Sequence, residues 1–148
     1  MSSSTRLFSV AGANSLVPLL QETFEGIERL REEMRTHVEA LRDMGYDFSD
    51  QDTIPSVQAG SEAERRIRSC SENHDEVLRL VNELTELGVE VKGLNGLVDV
   101  RSRYEDRVVY LCWKEGEETF SFWHEIDAGF AGRNPITDPE LFEGTFLN

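Results

Sequence analysis

Cysteine is nearly missing from this chain of 148 residues: Cys70 and Cys112 are the only two. They are too few, and too far apart in sequence, for a disulfide framework or a thiolate metal cage. Long apolar runs are missing as well. The longest are a few residues, such as "LVPLL", so no segment can span a bilayer. The start, "MSSSTRLFSV", has neither the charged beginning nor the apolar stretch of a secretory signal. A cytoplasmic protein with free thiols is expected. Positive charge is scarce: 15 Lys plus Arg face 29 acids, a net charge of −14. Such a field repels phosphate backbones and anionic membranes, which argues against nucleic acid and lipid as partners. The tightest basic cluster, Arg65, Arg66 and Arg68, is interleaved with Glu62 and Glu64 and reads as a solvated helix face. Nucleophile elbow, phosphate-binding loop, dinucleotide fingerprint and "HExxH" are all absent.

What is present is apolar periodicity, in a chain that is 39% hydrophobic and long enough for a single domain over 1–148. Residues 10–44 carry an apolar stripe at steps of three and four, from Leu16 through Phe24 and Met34 to Met44, as one face of a helix does. Ser9 reads as its N-cap and Gly45 as its end. Pro18 should kink it. A polar loop over 45–60 follows. Ser61-x-x-Glu64 then marks a capping box opening a second helix over 61–88, with Ala63, Ile67, Cys70, His74, Val77, Val81 and Leu84 on its seam. The two helices are expected to form a long antiparallel hairpin with coiled-coil packing.

From residue 89 the period changes to two. "VEVKGL", "LVDVRSRY", "RVVYLCWK" and "TFSFWHEI" read as a four-stranded antiparallel β-meander over 89–126, with a C-terminal loop and tail over 127–148. Turns are expected at Asn95-Gly96, Glu105-Asp106 and Gly116-Glu117. If each is a two-residue loop, Val91 lies opposite Val100, Val100 beside Leu111, and Leu111 beside Phe122. One face then collects the valines with Trp113, Phe120, Phe122 and His124. The fold class is α+β, with the helical hairpin covering that apolar face.

The other face interleaves charge with aromatics. One row reads Glu90, Arg101, Tyr110, Trp123; the next reads Lys92, Asp99, Cys112, Ser121; a third holds Arg103, Val108 and Glu125. Arginines beside aromatic rings suit a ligand or a partner. Arg101, Arg103, Tyr110, Trp123, Glu125 and Arg133 are therefore the candidate ligand-binding residues. Arg133 belongs to the glycine-containing loop "DAGFAGRNP". No metal motif is present, and the sequence names no cofactor and leaves that question open. The positions from which a metal site could be assembled are His37, Cys70 and His74 on the helices and His124 with Asp127 after them, and each reads first as structural.

"LFSVAGANSLVPLL", "GVEVKGLNGLVDV", "VYLCWKEGE" and "FWHEIDAGFAGRNPI" together resemble the bacterial family known as domain of unknown function 2203, over roughly residues 6–136. The chain departs from that pattern at Gly12, where an acid is expected, and at Val100, where Phe is expected. The resemblance implies a fold and carries no assigned activity. The leading functional expectation is a protein-interaction or assembly module forming a homo-oligomer, a dimer; the alternative is a protein or enzyme that binds a small anion on the arginine–aromatic sheet face and its glycine loop.

Overall fold

Residues 6–47 and 56–145 are described by the computed structural model of the chain. Their order is α1 (Val10–Asn14), α2 (Val17–Asp43), α3 (Glu62–Glu86), then strands β1 (Val89–Gly93), β2 (Leu97–Tyr104), β3 (Arg107–Lys114), β4 (Phe122–His124) and β5 (Asn134–Pro135). Part of the expected inter-helix loop, residues 48–55, lies outside the described residues. The chain is α+β, and its contacts divide it into two compact units: a sheet unit within Met1–Glu25 and Leu80–Asn148, and a helical unit within Gly26–Arg79.

In the sheet unit, the Ser9 hydroxyl accepts from the Gly12 N–H at 3.0 Å and starts α1. The expected kink is a full break at Ser15–Leu16, after which Pro18 stands in the first turn of α2, where its missing N–H has no helical partner to lose. The five strands pair in chain order, all antiparallel. Val89, Val98, Val100, Val109, Leu111 and Trp113 line the core face and are buried together with Phe8, Leu20, Phe24 and Leu84. The Phe24 and Trp113 rings meet at 6.3 Å. The C-terminal segment belongs to this unit. Phe142 stacks on Tyr104 at 4.4 Å, Glu143 bridges to Arg103, and the Thr145 N–H donates to Leu7 O at 3.0 Å. Gly144 permits that approach: a Cβ there would lie 2.5 Å from Ser9 N, a backbone atom with little room to yield.

Three departures from the expected meander have separate causes. The region read as loop and tail supplies β5, so the sheet has five strands rather than four. At β1–β2 the turn is longer than two residues, and Val91 faces Val98, not Val100. That slip is even, so the faces survive. At β3–β4 the slip is odd. Leu111 pairs with Trp123 and Tyr110 with His124. The two-residue turn does not form because Glu117 folds back on the end of β3. Its N–H donates to Lys114 O at 3.0 Å, its carboxylate accepts from Lys114 N at 2.8 Å, and its carbonyl accepts from the Trp113 indole at 2.8 Å. An irregular stretch follows up to β4, with Phe120 N held by Asn14 Oδ1 at 2.7 Å. The odd slip turns His124 away from the core face and Trp123 toward it.

In the helical unit, Ser61 caps α3 by accepting from Glu64 N at 3.2 Å, and Glu64 returns a bond to Gly60 N at 2.9 Å. Asn73 Nδ2 donates to Leu30 O at 3.3 Å, Cys70 meets Met34 O at 3.9 Å, and Arg66 meets His37 at 3.1 Å. Positions rise along one helix as they fall along the other, so these stretches run antiparallel. The seam passes through Asn73. His74, expected on it, is exposed.

Candidate functional site

The sheet face turned away from the core carries Glu90 and Lys92 from β1, Asp99 and Arg101 from β2, Tyr110 and Cys112 from β3, and His124 from β4. Asp99 pairs with Cys112 across β2–β3, and Tyr110 with His124 across β3–β4, which sets His124 diagonally beside Cys112. A cavity of about 220 Å³ opens here. Asp99, Cys112 and His124 line it with Tyr110 and Lys92, and the loop after β4 adds Ile126, Gly129 and Phe130.

Asp99 is 4% exposed, Cys112 1% and His124 1%. An acid buried to this degree is rare unless it is paired. Its partner is His124, whose Nε2 lies 3.1 Å from Asp99 Oδ1, and Cys112 Sγ lies within 4.8 Å of both. Burial, reinforced by the Asp99 charge, pushes the Cys112 thiol up to about 12. The other ring nitrogen of His124, Nδ1, lies 2.7 Å from Glu125 O. A backbone carbonyl only accepts, so Nδ1 carries the hydrogen and Nε2 of the neutral ring presents a lone pair to Asp99. Asp Oδ1, Cys Sγ and His Nε2 all lie within 4.8 Å of one another. Such an arrangement can hold a shared proton or a cation.

The expected ligand residues are placed as follows. Arg101 donates to Glu90 at 2.9 Å and to the Tyr110 hydroxyl at 3.2 Å, and Tyr110 donates to Glu90 at 2.8 Å. Lys92 reaches the same carboxylate at 3.2 Å. Burial pushes the Glu90 pKa up, but the hydrogen bonds from Arg101, Tyr110 and Lys92 outweigh it and the net shift is downward. Burial, then the Glu90 hydrogen bond, raises that of Tyr110. Arg101 and Tyr110 thus share the face as expected, as members of a self-neutralising network. Arg103 is half-exposed, with Asp106 at 3.8 Å. Glu125 pairs with Arg107 at 2.9 Å. Arg133 is tied to both carboxylate oxygens of Glu117 at 2.8 Å and stacks over Phe122 at 3.9 Å and Phe130 at 4.6 Å, which fastens the loop. Trp123 leaves the set: the odd slip puts it against Tyr104 at 4.9 Å on the other side.

Among the metal positions considered, His37 meets Arg66 and Cys70 is half-buried against Met34 O. His74 and Asp127 are exposed. His124 is drawn into a cluster, and the acid it meets is Asp99. Asp99 and Cys112 were legible as neighbours on this face but not as site residues. The available signal was an acid in the middle of "LVDV" and a cysteine in the middle of "VYLCW", polar groups where a strand is otherwise apolar. Among the described residues, no helix is long and apolar enough to cross a membrane.

Comparison with curated proteins found no match, and comparison with solved structures found none. A family model, that of the uncharacterized conserved protein DUF2203, matches residues 6–136. The match takes in every helix and strand described above, and the chain belongs to that family.

Proposed function

We propose that the chain binds a small organic ligand in the cavity between the outer sheet face and the glycine-containing loop. The observation that carries this reading is the convergence of three buried, chemically active side chains, Asp99, Cys112 and His124, on one opening. Burying such groups is unfavourable, and proteins concentrate them at sites of use. The cavity is smaller than the roughly 300–1,000 Å³ typical of drug-sized ligands, which points to a small metabolite. Ile126 and Phe130 offer it an apolar wall. Lys92 is the cation on that wall and favours an anionic group. The arginines first considered for that role, Arg101 and Arg133, do not line the cavity; Glu90 holds Arg101 as it also holds Lys92, and Glu117 holds Arg133.

A titration of isotopically labelled protein with small carboxylates and phosphorylated metabolites tests the reading. A true ligand should shift the resonances of Tyr110, His124 and Phe130. Lys92→Met should weaken it about tenfold or more, the worth of one charged hydrogen bond. Binding left intact in Lys92→Met, or no response at those residues across the panel, would count against it.

A second reading, assembly through the helices, is favoured by one observation. Met34, Val38, Ile67 and Cys70 stay only half-buried, and Met44 and Leu78 are 39% and 49% exposed. Two helices leave this stripe uncovered, and a homodimer would cover it. A sedimentation mass equal to one chain at high concentration would remove that reading.

A further inference from the structure

We propose that Asp99, Cys112 and His124 form a binding site for a divalent transition metal of the zinc class, with one coordination position open to the cavity. The proposal stands on the geometry of three side chains, and rests on the ligand reading above only for what the open position takes.

The donor set decides the class of metal. A thiolate, an imidazole and a carboxylate suit zinc and its borderline neighbours, whereas calcium and magnesium select oxygen ligands alone. Spacing agrees with this. A tetrahedral ion with bonds of about 2.0–2.3 Å holds its ligand atoms about 3.3–3.8 Å apart. Here the three donors lie within 4.8 Å of one another, and the His124–Asp99 pair is already at 3.1 Å. Contraction by about an ångström would close the site, a movement within the reach of side-chain torsions.

The setting of His124 is the second argument. A metal-binding histidine commonly donates its remote N–H to a carbonyl or carboxylate, which fixes the tautomer and aims the lone pair. Nδ1 is fastened in this way to Glu125 O at 2.7 Å, and the bare nitrogen points at Asp99. In the neutral ring, two acceptors then face each other inside the protein. A cation between them satisfies both. A second ring proton would also satisfy them; the cation is favoured by the third donor, Cys112 Sγ, which lies within 4.8 Å of both. Charge fits as well, because one carboxylate and one thiolate neutralise a dication and leave the buried site without net charge.

Three protein ligands with a fourth position facing a cavity is the pattern of zinc sites that handle a ligand rather than serve as structural staples. Tyr110 and Lys92 flank that position. It would accept a water molecule or the oxygen of a small carboxylate.

Cobalt(II) added to chelator-treated protein provides the test. One equivalent per chain should give a thiolate-to-cobalt charge-transfer band and the visible bands of a four-coordinate ion. Cys112→Ser should lose the charge-transfer band, and Cys70→Ser should keep it. His124→Gln should weaken binding by about a hundredfold or more. Absence of the band in the wild type, or its persistence in Cys112→Ser, would overturn the proposal. X-ray absorption of zinc-loaded wild-type protein needs no variant to fold. It should find one sulfur at about 2.3 Å with nitrogen and oxygen at about 2.0–2.2 Å, and a shell with no sulfur, or with two, would also overturn it. A cobalt spectrum that forms but does not respond to acetate or propionate would support the metal centre and count against the ligand reading.

Discussion

Replacing Trp113 by alanine should destabilise the protein by about 3–5 kcal/mol, the range for deleting a large buried aromatic side chain. The residue is 0% exposed at the centre of the core face and packs against Phe24. Its indole N–H also holds Glu117 O at 2.8 Å, and Glu117 is the residue that folds back on β3 and sets the length of the connection to β4. Two consequences can therefore be separated. Trp113→Phe keeps a six-membered aromatic ring and loses the hydrogen bond with the rest of the indole, so urea denaturation should show a smaller loss, about 1–3 kcal/mol. If that bond helps to hold the register of β4, Trp113→Phe should also weaken cobalt binding even where the protein remains folded. Equal stability for the alanine variant and the wild type would contradict the assignment of this side chain to the core.

The second large effect is expected at Asp99. Asp99→Ala leaves His124 Nε2 buried without a partner. The loss should be about 1–3 kcal/mol where a proton is shared between the ring and the carboxyl, and about 3–5 kcal/mol if the ring is charged. Asp99→Asn should recover most of it, because the amide can donate to the bare nitrogen or accept from a protonated one. Neither variant supplies the charged oxygen that the metal site needs, so both should lose zinc affinity. Stability and metal binding are thereby uncoupled in Asp99→Asn. A variant as unstable as Asp99→Ala would show that the pair is not held by the hydrogen bond at 3.1 Å.

How much of this was readable in the sequence depended on the turn concerned. Glu105 and Asp106 form the expected two-residue turn, with φ of 50° and 63°, and the pairing of Val100 with Leu111 follows from it. The turn around Asn95-Gly96 is longer than its dipeptide suggests, yet an even shift leaves every side chain on the expected face. The third turn failed for a reason that dipeptide rules do not contain. Gly116 does take a positive φ of 102°, but the side chain of Glu117 competes for the end of β3 and makes the shift odd. That single residue of slip carries His124 from the core face to the cavity, and Trp123 in the opposite direction. The Arg101–Tyr110 part of the site was legible because it depends on the first two turns alone. The Asp99–Cys112–His124 cluster was not, because it needs the third. On the helices, the Ser9 and Ser61 caps could be read directly, since capping is local. The choice of Asn73 over His74 for the seam could not, because it depends on the rotation of α3 against its partner.

The register of β4 brings His124 to Asp99 and Cys112 with its Nε2 lone pair available. Long-range proton–nitrogen correlation on the His124 ring, before and after one equivalent of zinc, tests it most directly. A proton on Nδ1 is expected in both states, with a large zinc-induced shift confined to Nε2. A ring protonated on Nε2 alone, or ring nitrogens unchanged by zinc, would contradict it.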